Sequence, residues 1–485
     1  MTLKQKTVSG LVWSFIGSIA GQGITFIVGI VLARILSPRE FGLIGMLAIF
    51  IAISESFIDS GFRQALIRKQ NCTEVDYSTV FYFNIVVGFI FYIILFISAS
   101  SISDFYHEPM LKQLIRVLGL GLIITSFTII QNTLLSKRID FKLQAKISII
   151  ASLISGMISI YMAYSGWGIW SLVALTIIKY TIISLLLWFW NKWRPVWYFS
   201  KKSFNELFSF GSKLLVSGLI DTIYRNVYYL IIGRYFSAVE LGYYTQADQF
   251  QALPSTNLSG IIGKVSYPVL SLLHDDIPRL REAYKRIIRS TMLITFVLML
   301  GMAAIARPMI LTMIGEKWES CVIYLQLLCF VGMLYPLHAL NLNMLQVQGR
   351  SDLFLRLEII KKVLAIPIIV IGVFWGIIAM IIGMMTINLI SYYLNSFWSG
   401  RFIGYSFLEQ IKDILPSFLL ALIMSSIVFA EGLFIPLPPL PLLIIQLITG
   451  ALLIFGLCER FHFKDYLYIK EIIVEKILTQ KINDK

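Results

Sequence analysis

Apolar runs of membrane length follow one another from residue 8 to residue 458 with only short polar connections between them. An α-helix needs about 20 mostly apolar residues to cross the hydrocarbon of a bilayer. On that measure the pattern predicts fourteen spans, at 8–33, 42–66, 79–99, 114–135, 145–164, 168–190, 207–236, 241–273, 286–306, 321–347, 354–374, 376–397, 412–430 and 440–458. The seventh and eighth stand apart because they carry charges inside. The apolar stretch that follows Lys4 and Lys6 runs on to Ala33 without a short core and cleavage motif, so it is read as the first span and not as a signal peptide.

The pattern is also duplicated. Arg34, Ser37, Glu40 and Gly42, which close one apolar segment and open the next, return at an offset of 200 as Arg234, Ser237, Glu240 and Gly242. Trp167-Gly168-Ile169 recurs as Trp375-Gly376-Ile377, and Arg138 with Asp140 as Arg350 with Asp352. The expected fold is therefore an all-α polytopic membrane protein with two six-helix lobes, residues 1–195 and 196–400. A C-terminal hairpin at 401–458 turns at Pro436, Pro438, Pro439 and Pro441, and a cytoplasmic tail follows at 459–485. Because each copy has an even number of spans, both enter from the same side, and the expected relation is a pseudo-two-fold along the membrane normal.

Composition sharpens this. Apolar residues make up 58 % and charged residues 14 %, with a mean hydropathy of +0.80; soluble domains carry about 25 % charged residues. Most Lys and Arg fall in alternate connections beginning with the N-terminus. The opposite side and its helix ends hold Arg34, Arg39, Lys112, Arg116, Arg234, Arg307 and Lys317. The positive-inside rule then places both termini in the cytoplasm. A basic cytoplasmic face beside anionic lipid accounts for the net charge of +14 without nucleic acid. The four cysteines include no CxxC pair and no zinc spacing, so no metal centre is expected. No connection approaches the roughly 50 residues of a small domain. Function is expected to reside in the bundle, and an enzyme is not.

Charges inside the spans are the candidate chemistry, since each costs about 2.5–3.5 kcal/mol at a helix centre and normally faces protein or a watery cavity. The second span holds Glu55, Asp59 and Arg63 at helical spacing, expected on one face. Such a trio either carries a proton or cation, or is a neutralised structural stripe. The seventh span holds Lys213, Ser217, Asp221 and Arg225, the last two at pairing distance along a helix. The eighth holds Gln246, Asp248, Gln249, Gln251, Asn257 and Lys264, with Pro254 expected to kink it. A polar cavity between the lobes, or simple inter-helix bonding, would account for this. Arg225, Lys264, Lys213 and Arg63, with Lys179 as a further intramembrane cation, suit an anionic headgroup such as pyrophosphate. Asp221, Glu55, Asp59 and Asp248 are the candidates for ion coupling.

The opening SGLVWSFIGSIAGQGITFIVGIVLARILSPREFGLIGM and the later GRYFSAVELGYY resemble polysaccharide exporters of the multidrug/oligosaccharidyl-lipid/polysaccharide superfamily, with the element LAR-x-L-x-P-x-[ED]-[FY]-G at Leu32 to Gly42. The likeness is greatest to the lipopolysaccharide, colanic acid and teichuronic acid branch. It implies a bacterial inner-membrane flippase for undecaprenyl-diphosphate-linked oligosaccharide, working by alternating access as a monomer, with no cofactor beyond Na+ or H+ as coupling ion. Membrane lipids and other glycan-biosynthesis proteins are the remaining expected partners. In the related peptidoglycan-precursor flippases an acid on the seventh span belongs to a sodium site, and Asp221 is the comparable acid. Their other ligands have no clear match here, where Lys361, Lys362, Thr386 and Asn388 occupy the eleventh and twelfth spans. The alternatives are a cation-coupled drug antiporter of the same fold, a membrane glycan polymerase or ligase, and a scaffold for glycan synthesis. The cationic surplus argues against the antiporter, and the short external loops argue against the polymerase or ligase.

Overall fold

A backbone in hydrocarbon has no water to bond, so a single chain segment satisfies its own N–H and C=O groups by coiling into a helix. The computed structural model describes residues 3–468, 470 and 471, leaving aside the side chains of residues 3–12, 14–16, 261, 264, 265 and 351. Among the described residues every regular element is helical. The Lys264 side chain and residues 472–485 of the expected tail lie outside them.

The order begins α1 (Leu3–Ile35), α2 (Pro38–Asp59), α3 (Phe62–Arg68), α4 (Glu74–Tyr106), α5 (Leu111–Leu118), α6 (Leu120–Ser126), α7 (Ile129–Lys137), α8 (Phe141–Tyr164), α9 (Trp170–Trp190) and α10 (Lys201–Tyr235). It continues with α11 (Ala238–Ser271), α12 (Ile277–Ala304), α13 (Ala306–Met313), a 3-10 turn at Glu316–Trp318, α14 (Cys321–Gly332) and α15 (Tyr335–Val347). It closes with α16 (Ser351–Trp375), α17 (Ile377–Ile403), α18 (Phe407–Phe434) and α19 (Pro439–Arg460). Among the described residues ten segments are long and apolar enough to cross a membrane, or eleven if the pair Leu111–Ser126 and Ile129–Lys137, bent by 40°, counts as one. α10, α11 and α16, of 35, 34 and 25 residues, have the length as well.

Several expectations change. The second span is interrupted: Ser60 and Gly61 adopt φ of 44° and 68°, ending α2 and starting α3. Glu55, Asp59 and Arg63 therefore do not share one continuous helical face. Gly61 is required there twice over, by its left-handed backbone and because a Cβ would collide with the Gly211 carbonyl of α10. The expected polar stretch His274 to Lys285 is mostly helical, since the Asp276 side chain accepts from the Arg279 N–H at 3.2 Å and starts α12. α11 runs unbroken through Pro254 and Pro268. Hydroxyls of Thr256 and Ser259 bond the carbonyls four residues back, on either side of Pro254.

The duplicated turns are built alike. Leu36 N–H bonds the Leu32 carbonyl and Phe236 N–H the Ile232 carbonyl, after which Glu40 N–H bonds the Ser37 carbonyl and Glu240 N–H the Ser237 hydroxyl. Gly168 and Gly376 both take positive φ, 52° and 95°. The Arg138/Asp140 match is corrected by two residues. Asp140 N–H bonds Leu135 O as Arg350 N–H bonds Leu345 O, and each heads the next helix, so Asp140 corresponds to Arg350.

The chain forms two compact units, 1–242 and 243–485. In the first, α1 packs on α8, α8 on α9, and α10 lies along α2, α3 and α4. Lys69 ties the start of α10 to α4, bridging Glu206 at 3.1 Å and Asp76 at 3.2 Å. Burial works against its ammonium, but those bonds outweigh it and hold the Lys69 pKa above the usual lysine value. At the other end of α2 the duplicated motifs dock on each other. A Cβ on Gly42 would strike the Ala238 carbonyl, and one on Gly242 would strike the Pro38 carbonyl. In the second unit α12, α15, α17 and α18 enclose the main apolar core around Tyr284, Met292, Leu337 and Tyr405. α16 flanks α17, and α19 packs on α18 and α13.

Candidate functional site

The first unit gathers ionisable groups at the depth where α2 meets α10. Ser56 and Thr222 hydroxyls touch at 3.1 Å across that seam. The adjacent Glu55 accepts a hydrogen bond from the Tyr180 hydroxyl of α9 at 3.0 Å. The neighbouring Lys179 donates to Thr25 of α1 at 3.0 Å. Arg63 reaches back past the break to Asp59, but the closest approach is 3.7 Å. The facing atoms, Asp59 Oδ1 and Arg63 Nε, are shut from solvent and lack a hydrogen bond among the described residues. Unsatisfied buried atoms of this kind are costly in a static role. Sequence spacing proposed Glu55, Asp59 and Arg63 as a set; the fold splits them, giving Glu55 to Tyr180 and Arg63 to Asp59. Tyr180 was invisible as a partner because α9 is more than a hundred residues away along the chain.

α10 carries the other half of the candidate site. At about 100° per residue, its surface divides into three sectors roughly 120° apart. Gly211 and Thr222 face α2 and α3. Val216, Ile220 and Ile223 form an apolar sector, 58 %, 45 % and 45 % exposed. Ser217, Asp221 and Arg225 form the third, a partly open stripe shared with Leu214, and Lys213 stands at its margin near Ile220. Within it Arg225 Nε donates to Asp221 Oδ2 at 3.2 Å, the guanidinium side being 76 % exposed. The apolar sector suits acyl chains. Asp221 and Arg225 occupy a different sector.

In the second unit Asp248 is half-buried on α11, beside the buried Gln246, whose amide nitrogen has no hydrogen bond among the described residues. Gln251 donates to Ser255 at 2.8 Å and sits against Gly332, where any Cβ would displace it. The fold places Lys264 on the same helix. One polar cluster was missed from sequence. His338 of α15 stands between Asn388 and Asn395 of α17 at 3.1 and 3.3 Å. A signal existed: His107, His274 and His462 lie at turns, whereas His338 lies inside an apolar stretch.

With this geometry in view, likeness to known proteins carries weight. The chain is 27 % identical to the lipopolysaccharide biosynthesis protein WzxC of Escherichia coli (strain K12), with 89 % of each chain covered. It is 26 % identical to the teichuronic acid biosynthesis protein TuaB of Bacillus subtilis (strain 168), with 73 % of each covered. Among solved structures, the lipid II flippase MurJ in an inward closed conformation superposes with a TM-score of 0.77. That match covers 95 % of this chain and all of the other, at 15 % identity, and so speaks for the fold alone. Residues 31–323, more than half of the chain and including the duplicated motif, match the family described as polysaccharide biosynthesis protein, and to that family of multi-pass membrane proteins the chain belongs.

Proposed function

We propose that this protein is a flippase that carries the headgroup of an undecaprenyl-diphosphate-linked oligosaccharide from the cytoplasmic to the external leaflet, by alternating access and coupled to an ion. A pyrophosphate-linked sugar will not cross ~30 Å of hydrocarbon unaided, while its prenyl tail is already at home there. The carrier has only to shelter the head. The observation that supports this most is the surface of α10, where the exposed Arg225 lies about 140° or more around the helix from Val216, Ile220 and Ile223, and the exposed Lys213 stands at the margin of that apolar sector. Arg offers paired donors to phosphate oxygens and Lys a compact charge. Arg63 and Lys264 complete the proposed headgroup set. The names of WzxC and TuaB, both of glycan biosynthesis, agree with such a substrate. In this reading the chain crosses the membrane fourteen times, with α10, α11 and α16 among the crossings, both termini in the cytoplasm and the duplication dividing near residues 195 and 196.

Reconstitution is the direct test: purified protein in liposomes loaded with lipid-linked oligosaccharide should expose the sugar to an external glycosidase or lectin far faster than empty liposomes. Equal rates would defeat the proposal. For coupling, Asp221 and Glu55 are the proposed acids, with Asp59 and Asp248 behind them and Na+ or H+ as the ion. Asp221→Asn and Glu55→Gln are each expected to change how flipping responds to an imposed sodium or pH gradient. An acid whose loss leaves both responses intact is structural.

A further inference from the structure

We propose that His338 is a proton-binding site in the second unit, charged and discharged through a turn of the Asn395 side-chain amide. The proposal deepens the ion coupling suggested above and rests on that reading.

The argument is one of donors and acceptors. Asn388 and Asn395 stand about two turns apart on one face of α17 and grip the two ring nitrogens from opposite sides. Asn388 Nδ2 donates to the Met384 carbonyl at 2.9 Å, which turns Asn388 Oδ1 toward the ring. An amide oxygen only accepts, so His338 Nε2, 3.1 Å away, carries the hydrogen of the neutral ring. Nδ1 is left with the lone pair and receives Asn395 Nδ2 at 3.3 Å. An arriving proton has one place to go, Nδ1.

Asn395 is fully buried, and its Oδ1 has no hydrogen bond among the described residues. A buried amide oxygen left in that condition is expensive if the cluster has a single state. A half-turn of the amide brings this oxygen onto Nδ1–H of a charged ring. The same side chain thus donates to the neutral imidazole and accepts from the imidazolium. The step adds one proton to a nitrogen lone pair and one positive charge to the ring, and the reverse step releases both.

The charge that faces the ring comes from α16, where Lys361 acts on it electrostatically and is itself ion-paired with Glu358. Arg281 of α12 pairs with Glu409 of α18, Lys285 lies 4.0 Å from Asp413, and Arg289 pairs with Asp465. Lys361 repels a positive charge on the ring, and its pairing with Glu358 occupies that ammonium with a carboxylate.

Two measurements decide the matter. In liposomes bearing lipid-linked oligosaccharide, a one-unit pH gradient, about a tenfold difference in proton activity, should accelerate flipping by wild-type protein. His338→Gln should flip at the gradient-free rate with or without it. If His338→Gln fails to reach the membrane, Asn395→Ala, which keeps the ring, should weaken the same response. A wild-type protein that flips without regard to the gradient, or a His338→Gln protein that still responds, overturns the proton site and leaves the flippase reading standing. Infrared difference spectra between acid and neutral pH on the purified protein are read without any transport. A histidine ring band and an asparagine carbonyl band should shift together and vanish in His338→Gln. Their absence in the wild type overturns the proposal even if no lipid-linked sugar is moved.

Discussion

Gly42→Leu should leave little folded protein in the membrane, and Gly242→Leu should do the same. Each glycine abuts a backbone carbonyl of the other motif copy, Ala238 for Gly42 and Pro38 for Gly242. A side chain in the way could rotate; a carbonyl at a helix start cannot. Overpacking that side chains can absorb costs about 1–3 kcal/mol, and here the relief has to come from separating two helix pairs. Against a total stability of about 5–15 kcal/mol, that is a large share. Thermal unfolding of detergent-purified protein should show a steep fall in the apparent midpoint, or no monodisperse protein to melt. Gly218→Ala on α10 is the control. Nothing lies within 4 Å of its Cβ position, and the change favours the helix by up to about 1 kcal/mol. A normal midpoint in both leucine variants would remove the reciprocal docking from the account of the fold.

Arg225→Ala should reduce flipping about ten- to a hundredfold while the protein persists in the membrane. A hydrogen bond to a charged group contributes about 1.5–3 kcal/mol, and about 1.4 kcal/mol corresponds to a factor of ten. Little structural damage is expected, because the guanidinium is largely exposed and bonds Asp221, one turn away on the same helix. Arg225→Lys should restore part of the rate, since it keeps the charge and loses the paired donors. Flipping in liposomes and immunoblots of membrane fractions would separate rate from abundance. Undiminished flipping by Arg225→Ala would return the α10 stripe to a packing or solubility role.

The helical spans and the duplication were legible in the sequence, and the contacts were not. Helix formation and apolar length are dictated by the solvent, residue by residue, so α4, α8, α9 and α12 fall where the apolar runs fall, lengthened at their ends. The turn at Arg34, Ser37, Glu40 and Gly42 also repeats faithfully, because its hydrogen bonds join residues three and four apart. The Arg138 and Asp140 match slipped by two residues, because the bonds that repeat there join backbone groups, which any side chain permits. The break at Ser60 and Gly61 escaped notice because its cause, the approach of Gly211, lies on another helix.

The same division holds for the candidate site. Sequence alone determined that charges interrupt long apolar runs, and that Asp221 and Arg225 stand one turn apart, since period fixes a helix face. Tertiary structure decided which charges meet. It joined Glu55 to Tyr180, set Arg63 short of Asp59, and placed His338 between two asparagines fifty and fifty-seven residues further on. Those pairings depend on how separate helices pack, and packing is governed by the shape of whole surfaces, of which no short stretch of sequence carries a record.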